Sequence, residues 1–458
     1  MASQAKIETN PFLEGIYAAV ADEVTTQSLP VSGKLPPELD GLYVRIGPNP
    51  ITPPDPRFYH WFAGDGMVHG VRLQGGKALW YRNRFVRSTR VSAALGEDPA
   101  PGPRDPRTDT VNTNIIGHAG KLLALVEAGG FPVELDSVMG TVAHSNLDGT
   151  LTLGGFSAHP HRDPDSGELH AICYNGGNSA FIRHVVVGTD GRVRRELPIP
   201  VTDGPMIHDC ALTARFVIIL DLPVTFSLAA ARAGVGFPYR WNKDHPARVG
   251  LLPREGGADD VIWCDVDPAQ VFHPCNAYDL PDGRVVIDVA AHDRMFDTDH
   301  PNGPDGSVLT FERWTCDPAT RRVERRVIDP MPQEFPRFDE RLTGKPYRFA
   351  YTVTMRDSAP DGTADGPSGV IRHDLETGAR ALHDFGTGRV PGEFVFVPRA
   401  ADAAEDDGWL MGYVVDSRTD STDLVVLDAS DIAASPIAVV SLPRRVPLGF
   451  HGNWIAAA

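Results

Sequence analysis

VVVGTDGRVRRELPI, residues 185–199, decides the fold class: a triple valine, a Gly-Thr-Asp-Gly connection, then a second strand-like run. β-Branched runs bounded by turn residues read as strands, and a short Gly/Asp connection between two of them reads as a hairpin. The unit recurs as YDLPDGRVVIDVA at 278–290, TCDPATRRVERRVI at 315–328 and HDLETGARALHDF at 373–385. Such units run from about residue 40 onward, with helical periodicity only in short pieces such as the Ala-rich 226–234. The 45 glycines and 40 prolines supply the turns. The class is therefore all-β. Many similar hairpins without a Pro/Ser/Gly linker favour a radial array of four-stranded blades, with tandem sandwiches as the alternative. A single domain over residues 11–458 is expected behind an N-terminal tail, residues 1–10.

Composition narrows the partners. A formal net charge of −17, with no Lys/Arg-rich stripe, repels phosphate backbones, so nucleic acid is not an expected partner. The first residues, MASQAKIETNPFLEGIYAAVADEV, lack a basic segment followed by an apolar one, and no stretch reaches the ~20 apolar residues of a membrane helix. Five cysteines, an odd number without any CxxC, indicate neither a disulfide framework nor a zinc ribbon. A reducing cytoplasm is the expected compartment.

Of sixteen histidines, four stand in apolar or small-residue contexts with strand-like flanks: His159 in SAHPHRDPDSGE, His208 in GPMIHDCALT, His273 in VFHPCNAYD and His451 in RVPLGFHGNW. On a propeller the innermost strands line the axis, so residues far apart in sequence can meet there. Four neutral imidazoles suit iron, copper, nickel or zinc and disfavour calcium or magnesium. Ligating imidazoles donate their second N–H to a carboxylate or carbonyl, so acidic residues embedded in apolar surroundings are expected nearby. Glu127 in LLALVEAGG, Glu334 in MPQEFPRF and Glu393 in VPGEFVFVPR qualify; the alternative is a salt bridge to Arg337 or Arg399, or surface exposure. Cys210 and Cys275 follow two of the histidines by two residues, a spacing that shares a strand face, so a mixed His/Cys site is the competing arrangement.

Taken in order, these motifs resemble the carotenoid cleavage oxygenase family. The resemblance runs from GKLPPELDGLYVRIGPNP at 33–50 through HWFAGDGMVHG at 60–70, VNTN at 111–114, the histidine and glutamate motifs, and EFPRFDERLTGKPYRFAYT at 334–352 to GFHGNW at 449–454. It implies a seven-bladed propeller with loops forming a cap over an axial iron(II). His159, His208, His273 and His451 would be the ligands, and Glu127, Glu334 and Glu393 their acceptors. The implied reaction is O2-dependent cleavage of a conjugated double bond to two carbonyl products, without an organic cofactor. The wording is closest to bacterial, actinobacterial-type members.

The resemblance also bears on substrate. Relatives that cleave hydroxylated stilbenes carry a lysine before the first of the glutamates and a tyrosine upstream; here Val126 stands there, and 91–107 has no tyrosine. An apolar polyene, a carotenoid or apocarotenoid, is the implied substrate, with stilbene cleavage as the alternative. An isomerase-hydrolase on the same ligands and a non-catalytic binding propeller are the other readings. Thr113 aligns with a residue beside an open iron position, and Val126, Phe272, Phe335 and Phe450 are candidate substrate-lining residues. Segment 221–241 falls where relatives carry an amphipathic patch, so contact with a membrane surface is one reading of it and a loop packed on the propeller is the other.

Overall fold

A computed structural model of the chain describes residues 10–105, 108–297, 307–355 and 368–457. All four quoted hairpins form. Residues 185–199 supply the facing halves of strands Asn178–Val187 and Val193–Pro200, and the turn between them uses Gly191 at φ +80°. The others join Gln270–Asp279 to Val285–His292, Leu309–Asp317 to Arg322–Asp329, and Gly369–Asp374 to Arg380–Asp384. Central strands such as Phe216–Asp221, Val285–His292 and Gly408–Asp416 are buried along their whole length, because the next sheet covers each face. Helix is limited to short pieces, among them Leu228–Arg232 within the Ala-rich stretch.

The sheets are arranged like a propeller. Edge strands of neighbouring units face one another: Cys210–Leu212 lies against Gln270–Asp279, which lies against Gln333–Arg337, while Gly452–Ala456 lies against Asn114–His118 and Val395–Pro398. Two long-range pairings close the ring. Val31–Gly33 joins Ala438–Ser441, and Gly452–Ala456 joins Gly41–Pro48.

The expected seven blades are not resolved one by one. Strand pairing gives sheets of five, four, eight, six, four and four strands plus a two-stranded ribbon. The widest arises because Asp265 pairs in parallel with Arg322, fusing two neighbouring units at one residue pair. The expected tail lies outside the described residues except Asn10. That residue is anchored, its side-chain amide donating to the carbonyls of Pro56 and Tyr59 at 2.9 Å each.

Candidate metal centre

Each of the four histidines sits at an edge strand or just before one. His159 precedes His161–Arg162, His208 precedes Cys210–Leu212, and His451 precedes Gly452–Ala456. His273 lies inside Gln270–Asp279, at a bulge where register shifts between Val271 and Pro274. The proline explains the bulge: it has no N–H for the ladder and holds the residue before it extended, and a bulge re-aims the neighbouring side chain. His159–Pro160 repeats the dipeptide.

The four rings converge. Their ligand atoms lie within 4.8 Å of one another, the His159 ring centroid is 4.3–5.3 Å from those of the other three, and each residue is at most 9% exposed. Three Nδ1 atoms are taken by the three glutamates: His208 by Glu127 at 2.9 Å, His273 by Glu334 at 2.7 Å and His451 by Glu393 at 3.1 Å. The fourth, in His159, stands 3.7 Å from Asp209. The opposite nitrogens face inward. His208 Nε2 and His273 Nε2 are 3.2 Å apart, and His159 Nε2 is buried without a hydrogen-bond partner.

Electrostatics matches this geometry. Burial, with the neighbouring rings, holds His159 and His273 well below the ordinary imidazole range, which keeps them neutral. Burial also pulls His208 down, but the Glu127 charge and hydrogen bond outweigh it and the net direction is upward. Burial pushes Glu334 up to about 7; in Glu393 burial acts the same way, but Arg337 and His451 overcome it and hold the carboxyl low. An orphaned buried nitrogen amid four converging imidazoles, three of them turned by a glutamate behind the ring, fits a borderline divalent transition metal.

The site has two unlike sides. On one, Phe272 packs edge-on to His208 at 4.9 Å and meets Phe62, which touches Phe237, Phe296 and Phe450. On the other is a cavity of about 210 Å³ whose walls include His159, His273, His451, His161, Asp209 and Arg337. The three expected phenylalanines therefore divide: Phe272 and Phe450 join the aromatic side, whereas Phe335 stacks on His273 at 5.4 Å and lines the polar cavity. Val126 packs against an apolar cluster beside Gly130. The Thr113 hydroxyl donates to Asn112, and its carbonyl holds the His451 amide at 3.1 Å.

The thiols stand apart from the four-histidine group. Arg337, the alternative partner named for the glutamates, bonds Glu393 at 2.9 Å, while Arg399 pairs with Asp407. Segment 221–241 contributes inward-facing Phe237 and Tyr239 but leaves Leu228 56% exposed. Among the described residues no helix is long and apolar enough to cross a membrane. Sequence reasoning missed Asp209, although MIHDCAL is as apolar a setting as those of the three glutamates; it also missed Tyr174, which donates to Glu127 at 2.6 Å, and His60, Trp61 and Phe237.

The model of the retinal pigment epithelial membrane protein family (RPE65) matches residues 17–456. The carotenoid cleavage oxygenase of Mycobacterium tuberculosis is 44% identical, with 99% of each chain covered. Among solved structures, the lignostilbene dioxygenase of Pseudomonas brassicacearum superposes with a TM-score of 0.88 at 28% identity, covering 99% of this chain and 100% of that one. Cobalt-substituted Synechocystis ACO gives 0.85 at 28% identity, with 98% of each covered. On the match along nearly its whole length and the 44% identity, the chain belongs to the RPE65 or carotenoid cleavage oxygenase family.

Proposed function

We propose that this chain is a non-haem iron(II) oxygenase that cleaves a conjugated C=C bond of a carotenoid or apocarotenoid with O2, giving two carbonyl products. The observation that carries the reading is the cage itself: four inward imidazoles, three backed by glutamates, beside a wall of aromatic rings. His159, His208, His273 and His451 would hold the metal, and Glu127, Glu334 and Glu393 would fix the tautomer and aim of three rings. Iron(II) bound there supplies O2 binding and electron donation. The protein contributes position and dryness: Phe62, Phe272 and Phe450 offer apolar faces that a polyene buries at about 25 cal/mol per Å².

A stilbene reading is favoured by the likeness to a lignostilbene dioxygenase. Against it, the position before Glu127 is Val126, and nearby Lys121 is committed to Glu134 at 2.9 Å, so neither position offers a free ammonium to lower a phenolic pKa of about 10. We read the eight-stranded sheet as two blades fused at one pair, which restores seven, and residues 11–458 as one domain. The exposed Leu228 and Phe58 keep a membrane surface as a proposed contact for a cytoplasmic chain.

The test is direct competition. The iron-loaded protein receives an apocarotenal and a 4′-hydroxystilbene at equal concentration in air, and aldehydes are identified by mass. Polyene products should dominate and vanish in the iron-free protein. Preferential stilbene cleavage would reverse the substrate assignment, and equal turnover without iron would remove the oxygenase reading.

A further inference from the structure

Resting on the metal-centre reading, we infer that the divalent ion reaches the histidines through the polar axial cavity, meeting His161 and Asp209 first, while the apolar substrate uses the aromatic side. The cavity's composition separates two kinds of traffic. At about 210 Å³ it has room for roughly seven waters at their share of ~30 Å³ each. That suits an ion with most of its hydration shell; pockets for larger organic ligands run about 300–1,000 Å³ and are mainly apolar. The phenylalanine faces of the aromatic side give a bare ion no ligand atom, and losing its water uncompensated is prohibitive.

The walls form a graded path. The mouth is solvent-facing, with Arg162 exposed and the Glu340 side chain 60% exposed. Midway, His161 Nε2 meets Asp209 Oδ1 at 2.7 Å, and the donor atoms of His161, Asp209 and Cys210 lie within 4.8 Å of one another. From Asp209 the next step is His159, 3.7 Å away, whose Nε2 is the buried nitrogen without a partner.

Charge permits a cation. Arg337 is occupied by Glu393, Glu340, the Gly452 carbonyl and Asn453, and Arg162 by the Gly117 and Gly167 carbonyls and His118. Asp209, Glu340 and Glu393 stand on the same walls, so a cation passing those two committed guanidiniums meets carboxylates.

A residue on a path alters arrival and departure alike, whereas a residue that retains the ion alters the equilibrium. Metal-free protein, stripped with a chelator, is mixed anaerobically with Co²⁺ alone, and association and dissociation are followed by stopped-flow absorbance in wild type, His161→Gln, Glu340→Gln and Ile116→Trp, each checked for native circular dichroism. Ile116 lines the cavity and carries no donor atom, so Ile116→Trp narrows the path without removing a donor. Both rate constants should fall together by about tenfold, with Kd within about twofold, and Phe237→Trp on the aromatic side should leave both unchanged. Wild-type rates in His161→Gln and Ile116→Trp overturn the inference, as does a weakened Kd from faster release alone, which would make His161 part of the retaining shell. Failure of wild-type protein to take up Co²⁺ would sink the metal-centre reading instead.

Discussion

Glu127, Glu334 and Glu393 each turn one imidazole, yet each is itself held differently. Glu127 accepts the Tyr174 hydroxyl at 2.6 Å and Glu334 the Phe335 amide at 2.6 Å, while Glu393 accepts Arg337 and the Gly452 amide. Substituting each by glutamine therefore has unequal cost. Glu334→Gln should weaken metal binding about 10–100-fold with little loss of stability, because among the described residues no arginine or lysine pairs with Glu334. Glu393→Gln should do the same to the metal and also cost on the order of 3 kcal/mol of stability, because Arg337 loses its buried partner. Metal titration together with urea unfolding separates the two; equal stability losses would refute the distinction. The glutamates were legible because a carboxylate among apolar neighbours must find a partner. Which partner was not: Arg337 lies three residues from Glu334, but register shifts between them and its guanidinium reaches Glu393 instead. Asp209 escaped because, next to His208, it reads as part of the histidine motif.

Local pattern carries far at the scale of elements. The four hairpins read from turn dipeptides all form, since turn chemistry and alternation act within a few residues. Sheet width does not act locally; the Asp265–Arg322 pair joins strands more than 50 residues apart, and no short window contains it. Backbone irregularities at the site were equally hidden, among them Phe335 at φ +52°, a conformation that costs a non-glycine residue about 1–3 kcal/mol and here delivers its amide to Glu334. Pro274 is the irregularity most open to test. Pro274→Ala restores an N–H to the strand Gln270–Asp279 and removes the restriction on His273. Metal affinity should fall about tenfold, as for loss of an orienting contact, while the melting temperature moves by only a few degrees. Unchanged affinity, measured by Co²⁺ titration, would mean that the bulge is set elsewhere.

Across the whole molecule, buried histidines outside the metal centre link stability to acidity. Burial lowers His170 and His373 to about 4. Between pH 6.5 and 4 the unfolded chain binds protons at these two positions that the folded chain refuses, so stability is complete above about pH 6.5 and falls with acidification. At pH 5 each site should have lost about 2 kcal/mol relative to pH 7.5. Urea unfolding at the two pH values measures the loss, and His170→Asn should remove about 2 kcal/mol of it; an identical loss in the variant would exclude His170 as a source. The ring closure has a consequence of another kind. Gly452–Ala456 pairs with Gly41–Pro48 across some 400 residues, and His451 adjoins that closing strand. A chain under synthesis can form hairpins as they emerge, but it lacks both the closure and one of the four imidazoles until residue 451 has been made. Products of premature termination are therefore ligand-deficient as well as open-edged, and the metal content of a preparation counts the chains that were both finished and closed.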